Sequence, residues 1–122
     1  MHKIRLGSVE SRFADIVWQN APLTTKELVS ICNAELEWAR TTTYTVLKKL
    51  CERGIFKTEN GVVTVILTRD EFYAVRSEQF VNDSFGGSLP AFIAAFTSRR
   101  KPTAKELAEI RKMLDSYDTT IS

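Results

Sequence analysis

The chain has 122 residues and a mass of 13.8 kDa, the size of one domain or of a small domain with an appendage. Hydrophobic residues make up 43% and charged residues 26%, with five Gly and three Pro, which excludes a disordered, collagen-like or low-complexity chain. Apolar runs stay far below the roughly 20 residues needed to cross a bilayer, no secretory leader is evident behind the charged Met1–Ser8, and net charge is only +2, so a cytoplasmic protein without membrane insertion is expected.

Catalysis lacks material. The single histidine is His2, read as an exposed terminal residue. Soft or borderline ligands do not occur at metal spacing, and no Gly-rich phosphate loop, Cys-x-x-Cys or His-centred triad is present. Carboxylates such as Glu35 and Glu37 have no base, nucleophile or metal set beside them, so the chain is expected to be no enzyme and to need no cofactor or metal. Cys32 lies at an apolar helix position and Cys51 near a helix end, and both are expected as buried or half-buried thiols. A disulfide scaffold is not implied.

In chain order, Glu10 to Trp18 reads as a helix with Ser8 as N-cap and a stripe of Val9, Phe13, Ile16 and Val17, stopped by Asn20-Ala21-Pro22. Thr24-Thr25-Lys26-Glu27 is a capping box that opens a short second helix burying Leu28, Ile31 and Cys32, with Asn33 to Trp38 as its linker onward. A third helix spans Arg40 to Arg53 and stops at Gly54. It turns Val46, Leu47 and Leu50 one way, and Thr41, Tyr44, Thr45, Lys48 and Glu52 the other. The hydroxyls of Thr41-Thr42-Thr43 suit phosphates and base edges. Between Trp38 and Lys57 the basic residues Arg40, Lys48, Lys49, Arg53 and Lys57 face Glu52 alone, which suggests either a solvated flank or a surface for phosphates.

After Gly54 the pattern becomes extended. Ile55–Thr58 and Val62–Leu67 flank Glu59-Asn60-Gly61, and Asn-Gly is a hairpin turn signal because both residues tolerate positive φ. Three helices and a hairpin make a winged helix-turn-helix, assigned to residues 1–68. Residues 69–122 are expected to form a helical dimerisation region. Thr68-Arg69-Asp70-Glu71 caps a helix to about Asn82, Phe85-Gly86-Gly87 breaks the chain, Ser88 caps a short apolar helix, and Thr103-Ala104-Lys105-Glu106 caps the last one. Phe80, Phe85, Leu89, Phe92, Ile93, Phe96, Leu107, Ile110 and Leu114 are the candidate dimerisation residues, because three short helices have too little core of their own. Packing back onto the same chain is the alternative. Asp118 to Ser122 reads as a frayed end. The fold class is therefore mainly α with a small β-hairpin wing.

From Leu6 to Tyr117 the chain resembles the bacterial penicillinase and methicillin-resistance repressors (BlaI/MecI-type regulators). The resemblance rests on Ile16-Val17-Trp18, on Trp38-Ala39-Arg40-Thr41-Thr42-Thr43-Tyr44-Thr45-Val46-Leu47 with Leu50 and Arg53-Gly54-Ile55, and on Phe85-Gly86-Gly87-Ser88 with Phe92 and Phe96. It implies a homodimeric winged-helix repressor on a palindromic double-stranded operator. It places DNA contacts on Thr41, Thr42, Tyr44, Thr45 and Lys48, and phosphate contacts near Thr24, Thr25 and the wing, which looks several residues shorter than in the staphylococcal repressors. Lys57 joins them as a backbone neutraliser, Lys49 sits on the flank, and Arg40 could take either a guanine or a phosphate. Trp38 is expected to pack at the hinge. The family's regulatory protease cuts an Asn-Phe bond, whereas the matching pair here is Ala95-Phe96, which keeps the Phe alone. Copper-sensing relatives carry a C-terminal cysteine cluster, absent after Cys51. A protein-binding winged helix and a ligand-gated regulator are the rival readings.

Overall fold

The computed structural model describes residues 6–117; His2 and the stretch 118–122 lie outside the described residues. Helix α1 (Ser8–Asn20) leads to the short strand β1 (Leu23–Thr24), α2 (Thr25–Leu36), α3 (Arg40–Glu52), and the hairpin of β2 (Phe56–Glu59) and β3 (Val62–Val65). Three further helices follow: α4 (Arg69–Phe85), α5 (Leu89–Arg99) and α6 (Ala104–Tyr117). The architecture is a winged helix followed by helices, as the sequence leads one to expect.

Local chemistry explains most boundaries. Gly7, rather than Ser8, caps α1: its N–H donates to Glu10 Oε1 at 3.1 Å, and its carbonyl accepts the first helical bond from Ser11. At the far end the Ala21 N–H closes on the Val17 carbonyl at 2.8 Å, and the Asn20 amide reaches the Ile16 carbonyl, carrying the helix two residues past Trp18. The Thr24 box forms as expected, with Glu27 N–H donating to Thr24 Oγ1 and Thr24 N–H donating to Glu27 Oε1. Helix α2 runs on to Leu36, so Asn33 is helical rather than linker. Leu36 extends the stripe of Leu28 and Cys32 by one more turn, and Glu37 then takes the left-handed conformation (φ 57°) with its N–H on the Asn33 carbonyl. Gly54, at φ 80°, ends α3, and Asn60 and Gly61 make the two-residue hairpin turn at φ 53° and 74°.

The sheet has three strands, in the order β1-β3-β2, all antiparallel. Strand β1 has no counterpart in the sequence reading, because two residues are too few for a periodicity. It pairs Leu23 with Val63 and Thr24 with Val62, and the Thr25 N–H donates to the Gly61 carbonyl, which ties the wing turn to the start of α2.

The chain divides into two compact units, the first ending at Phe80 and the second starting at Val81. The first closes a core of Phe13, Ile16 and Val17 from α1, Leu28 and Cys32 from α2, Leu47 and Leu50 from α3, and Ile55, Phe56 and Val63 around the sheet. Phe72, on the first turn of α4, is fully buried in it. Trp18 packs against Phe56 and Phe72 and donates its indole N–H to the Leu67 carbonyl at 2.9 Å. Val9 stays half exposed, outside the stripe assigned to it. Helix α4 continues to Phe85, three residues beyond the expected end, because its stop is Gly86-Gly87, both at positive φ.

The second unit is made differently. Ser88 Oγ accepts from the Ala91 N–H, and the Thr103–Glu106 box starts α6. Phe92 packs edge-on against Phe85, 5.6 Å between centroids, and Phe96 lies beyond it. Arg100 makes a two-pronged pair with Glu106, at 3.0 and 3.4 Å, and lies over the Phe96 ring. No residue of α5 or α6 is buried.

Candidate nucleic-acid interface

Helix α3 is held from behind. Leu47 and Leu50 enter the core, and so does Thr43, 1% exposed, whose hydroxyl donates to the Ala39 carbonyl. Of the three hydroxyls expected to suit phosphates and base edges, that of Thr43 is therefore out of reach. It shares a stripe with Leu47 and Leu50, while Val46 is only half buried. The turn before α3 is pinned by Trp38, whose ring stacks on Phe13 at 5.6 Å and whose carbonyl accepts from the Asn33 amide, the hinge role expected of it.

What faces outward is Arg40, Thr41, Thr42, Thr45 and Lys48, all exposed, with Tyr44 half buried among them. Thr45 donates its hydroxyl hydrogen to the Thr41 carbonyl at 2.9 Å, so it offers an acceptor oxygen and a methyl group to whatever meets it. Tyr44, Lys48, Leu47 and Cys51 line a groove of about 280 Å³ with Thr25 from α2 and Thr58 from the wing strand β2. Cys51 Sγ and Thr58 Oγ1 are 3.5 Å apart across it. Thr58 and Cys51 were missed as candidates; Thr58 alternates with Lys57 along β2, but only the packing of the wing against α3 brings it here.

The basic residues sort into two groups. Lys49 Nζ lies 3.0 Å and Arg53 Nη1 3.6 Å from Glu10 of α1, so both lean to the far flank. Glu10 is held below its ordinary pKa, first by the Gly7 N–H and then, against some desolvation, by Lys49 and Arg53. Lys57 has Glu59 at 3.5 Å on its own strand, an exposed pair of little worth. Among the described residues Arg40 and Lys48 have no carboxylate within ion-pair distance. The Arg40 guanidinium instead lies 5.5 Å from the centroid of the Tyr44 ring. Thr25 beside the phenol, opposed by slight desolvation and aided by Arg40 and Lys26, pulls Tyr44 below its ordinary pKa.

Thr24 and Thr25 are less free than their position suggests. Thr24 Oγ1 already accepts from Glu27, and the Thr25 N–H is taken by Gly61. Burial pushes the Cys32 thiol up, away from reactivity, while Cys51 is half buried in the groove.

This arrangement of an outward hydroxyl-and-cation helix, a braced hinge and a wing is that of a DNA-reading domain. The penicillinase repressor family matches residues 6–116. The chain belongs to that family. It is 20% identical over 122 residues to the penicillinase repressor of Bacillus licheniformis, covering 96% of this chain and 95% of that one. It is therefore a DNA-binding transcriptional repressor, and its family is not a class of enzymes. No helix among the described residues of the repressor is long and apolar enough to cross a membrane.

The candidate dimerisation residues of the repressor lie where a second chain could reach them. Phe80, Leu89, Ile93, Phe96, Leu107, Ile110 and Leu114 are between 39% and 54% exposed, and Met113 and Tyr117 more so. Phe85 and Phe92 are half buried against each other. Ala95-Phe96 lies within the helical ladder of α5.

Proposed function

We propose that the protein is a homodimer that represses transcription in the cytoplasm by binding a palindromic operator, one α3 in each half-site. The observation that supports this most is the outward face of α3, in which Thr41, Thr42, Tyr44, Thr45 and the uncompensated Lys48 project from a helix whose other side is locked in the core. Thr45 meets a base edge with its acceptor and methyl, which suits an exocyclic amine or a thymine methyl. Lys48 and Lys57 neutralise phosphates, the Thr24 and Thr25 hydroxyls donate to the strand beside α2, and Arg40 meets the duplex at the start of α3. The apolar side chains of α5 and α6 close against a second copy, which removes them from water and fixes the half-site spacing. A regulatory protease acting at Ala95-Phe96 would first have to unwind α5, since helical backbone does not enter a protease cleft.

The test is a salt series on a duplex obtained by footprinting the protein on its own promoter region. Affinity should fall steeply with salt. Lys48→Ala should lower the slope by roughly one counterion per half-site, and Lys49→Ala should leave it unchanged. A flat salt response refutes groove reading; an unchanged slope in Lys48→Ala refutes this assignment of the phosphate contact.

A further inference from the structure

Arg40 and Tyr44 stand one helical turn apart on the outer face of α3, and one contact joins them. The guanidinium lies over the ring, 5.5 Å from its centroid, within the reach of a cation–π attraction. Tyr44 also lines the groove beside Thr25 of α2. Half buried between α2 and the wing, the Tyr44 ring is confined while it carries the cation.

We propose that Tyr44 is a positioning residue that holds Arg40 as a fixed, two-pronged reader of one guanine edge. The proposal rests on the groove-reading assignment of α3 and goes beyond it by choosing between the two roles open to Arg40. Three observations favour guanine over phosphate. Arg40 is the first residue of α3, and the N-terminal end of a recognition helix meets base edges. Its charge has no carboxylate beside it among the described residues, so its remaining N–H groups stay available. Its plane is also constrained by the ring, and a constrained fork matches the paired acceptors O6 and N7 of guanine. A phosphate contact needs only a point charge, which Lys48 supplies without any bracing. Ordering a long side chain before binding removes part of the cost of ordering it on the DNA.

The experiment uses the full-length protein and duplexes enriched from a random pool. Dissociation constants are then measured on the best duplex and on its single base-pair variants. The wild type should discriminate at one G·C pair in each half-site by roughly 5- to 150-fold. Arg40→Ala should erase that preference and leave the other positions alone. Tyr44→Leu should weaken it at the same pair by roughly 2- to 30-fold, and should weaken it no further when Arg40 is already Ala. Tyr44→Phe, which keeps the ring and loses the phenol oxygen, should retain more of the preference than Tyr44→Leu. Both side chains lie outside the core, so thermal midpoints should not move. Equal losses for Arg40→Ala on every duplex, with a smaller salt slope, would make Arg40 a phosphate contact and overturn the proposal. A Tyr44→Leu loss that persists in the Arg40→Ala background would also overturn it, since Tyr44 would then touch DNA on its own account. If no sequence is enriched at all, groove reading fails together with it; enrichment followed by either of the other two patterns sinks the Tyr44–Arg40 assignment alone.

Discussion

The two units solve the problem of burying apolar surface in opposite ways. The first, ending at Phe80, closes α1, α2, α3, the sheet and the first turn of α4 around aromatic residues that are fully covered within one chain. The second, from Val81 onward, keeps every residue of α5 and α6 at least partly in water. The lesson is a difference in closure: the first unit covers its apolar side chains with its own contacts, and the second leaves Leu89, Ile93, Phe96, Leu107, Ile110 and Leu114 half exposed.

The sharpest way to break this contrast is to place a charge in the open face. The Ile93→Asp, Ile110→Asp double variant should sediment as a monomer and bind a palindromic operator roughly 10²- to 10⁴-fold more weakly, because the second half-site no longer gains from being tethered. A dimer of unchanged mass would show that these side chains are not the interface. Truncation inside the closed core acts on folding instead: Phe13→Ala, which also removes the support under Trp38, should cost about 3–5 kcal/mol in denaturant unfolding. A loss below about 1 kcal/mol would mean that the core relaxes around the gap.

A finer comparison lies within α3. Thr43→Val should lower stability by about 1 kcal/mol through its lost hydroxyl bond and leave base preference alone. Thr45→Val should do the reverse, shifting preference at one base pair with stability nearly constant. If the two variants exchange behaviours, the helix is rotated from the orientation described.

The smallest effect concerns acid. Arg100, and next the Thr103 N–H, hold Glu106 down at about 2 from an ordinary 4.5. The folded value lies below the unfolded one, so the stabilisation is complete above the unfolded value and fades as the pH falls from there toward the folded one. Glu106→Gln keeps an amide oxygen for the cap but loses the ion pair. Its thermal midpoint should therefore lie slightly below wild type at neutral pH and converge with it near about pH 2. A gap that persists in acid would assign the effect to packing.

Much of the fold was legible because it is encoded over three or four residues. The Thr24–Glu27, Thr68–Glu71 and Thr103–Glu106 boxes, the Gly54 stop and the Asn60-Gly61 turn each carry their own geometry in a short stretch of chain. The length of α2 and the cap of α1 were misjudged by a few residues, where Asn33 and Ser8 have local preferences that packing and the Glu10 side chain override. What could not be read depends on distant partners. Strand β1 exists only because β3 lies beside it, and Lys49 and Arg53 are turned aside only because α1 presents Glu10. The burial of Thr43 was readable in principle from its spacing to Leu47 and Leu50, but a run of three threonines hides which of them faces inward.

Glu10 has a consequence for how the repressor would search a chromosome. Glu10 pairs with Lys49 and Arg53, and a cation held by a carboxylate has less charge to offer a polyanion. If the two released cations reach phosphates, Glu10→Gln should bind random-sequence duplex more tightly and with a steeper salt slope than wild type.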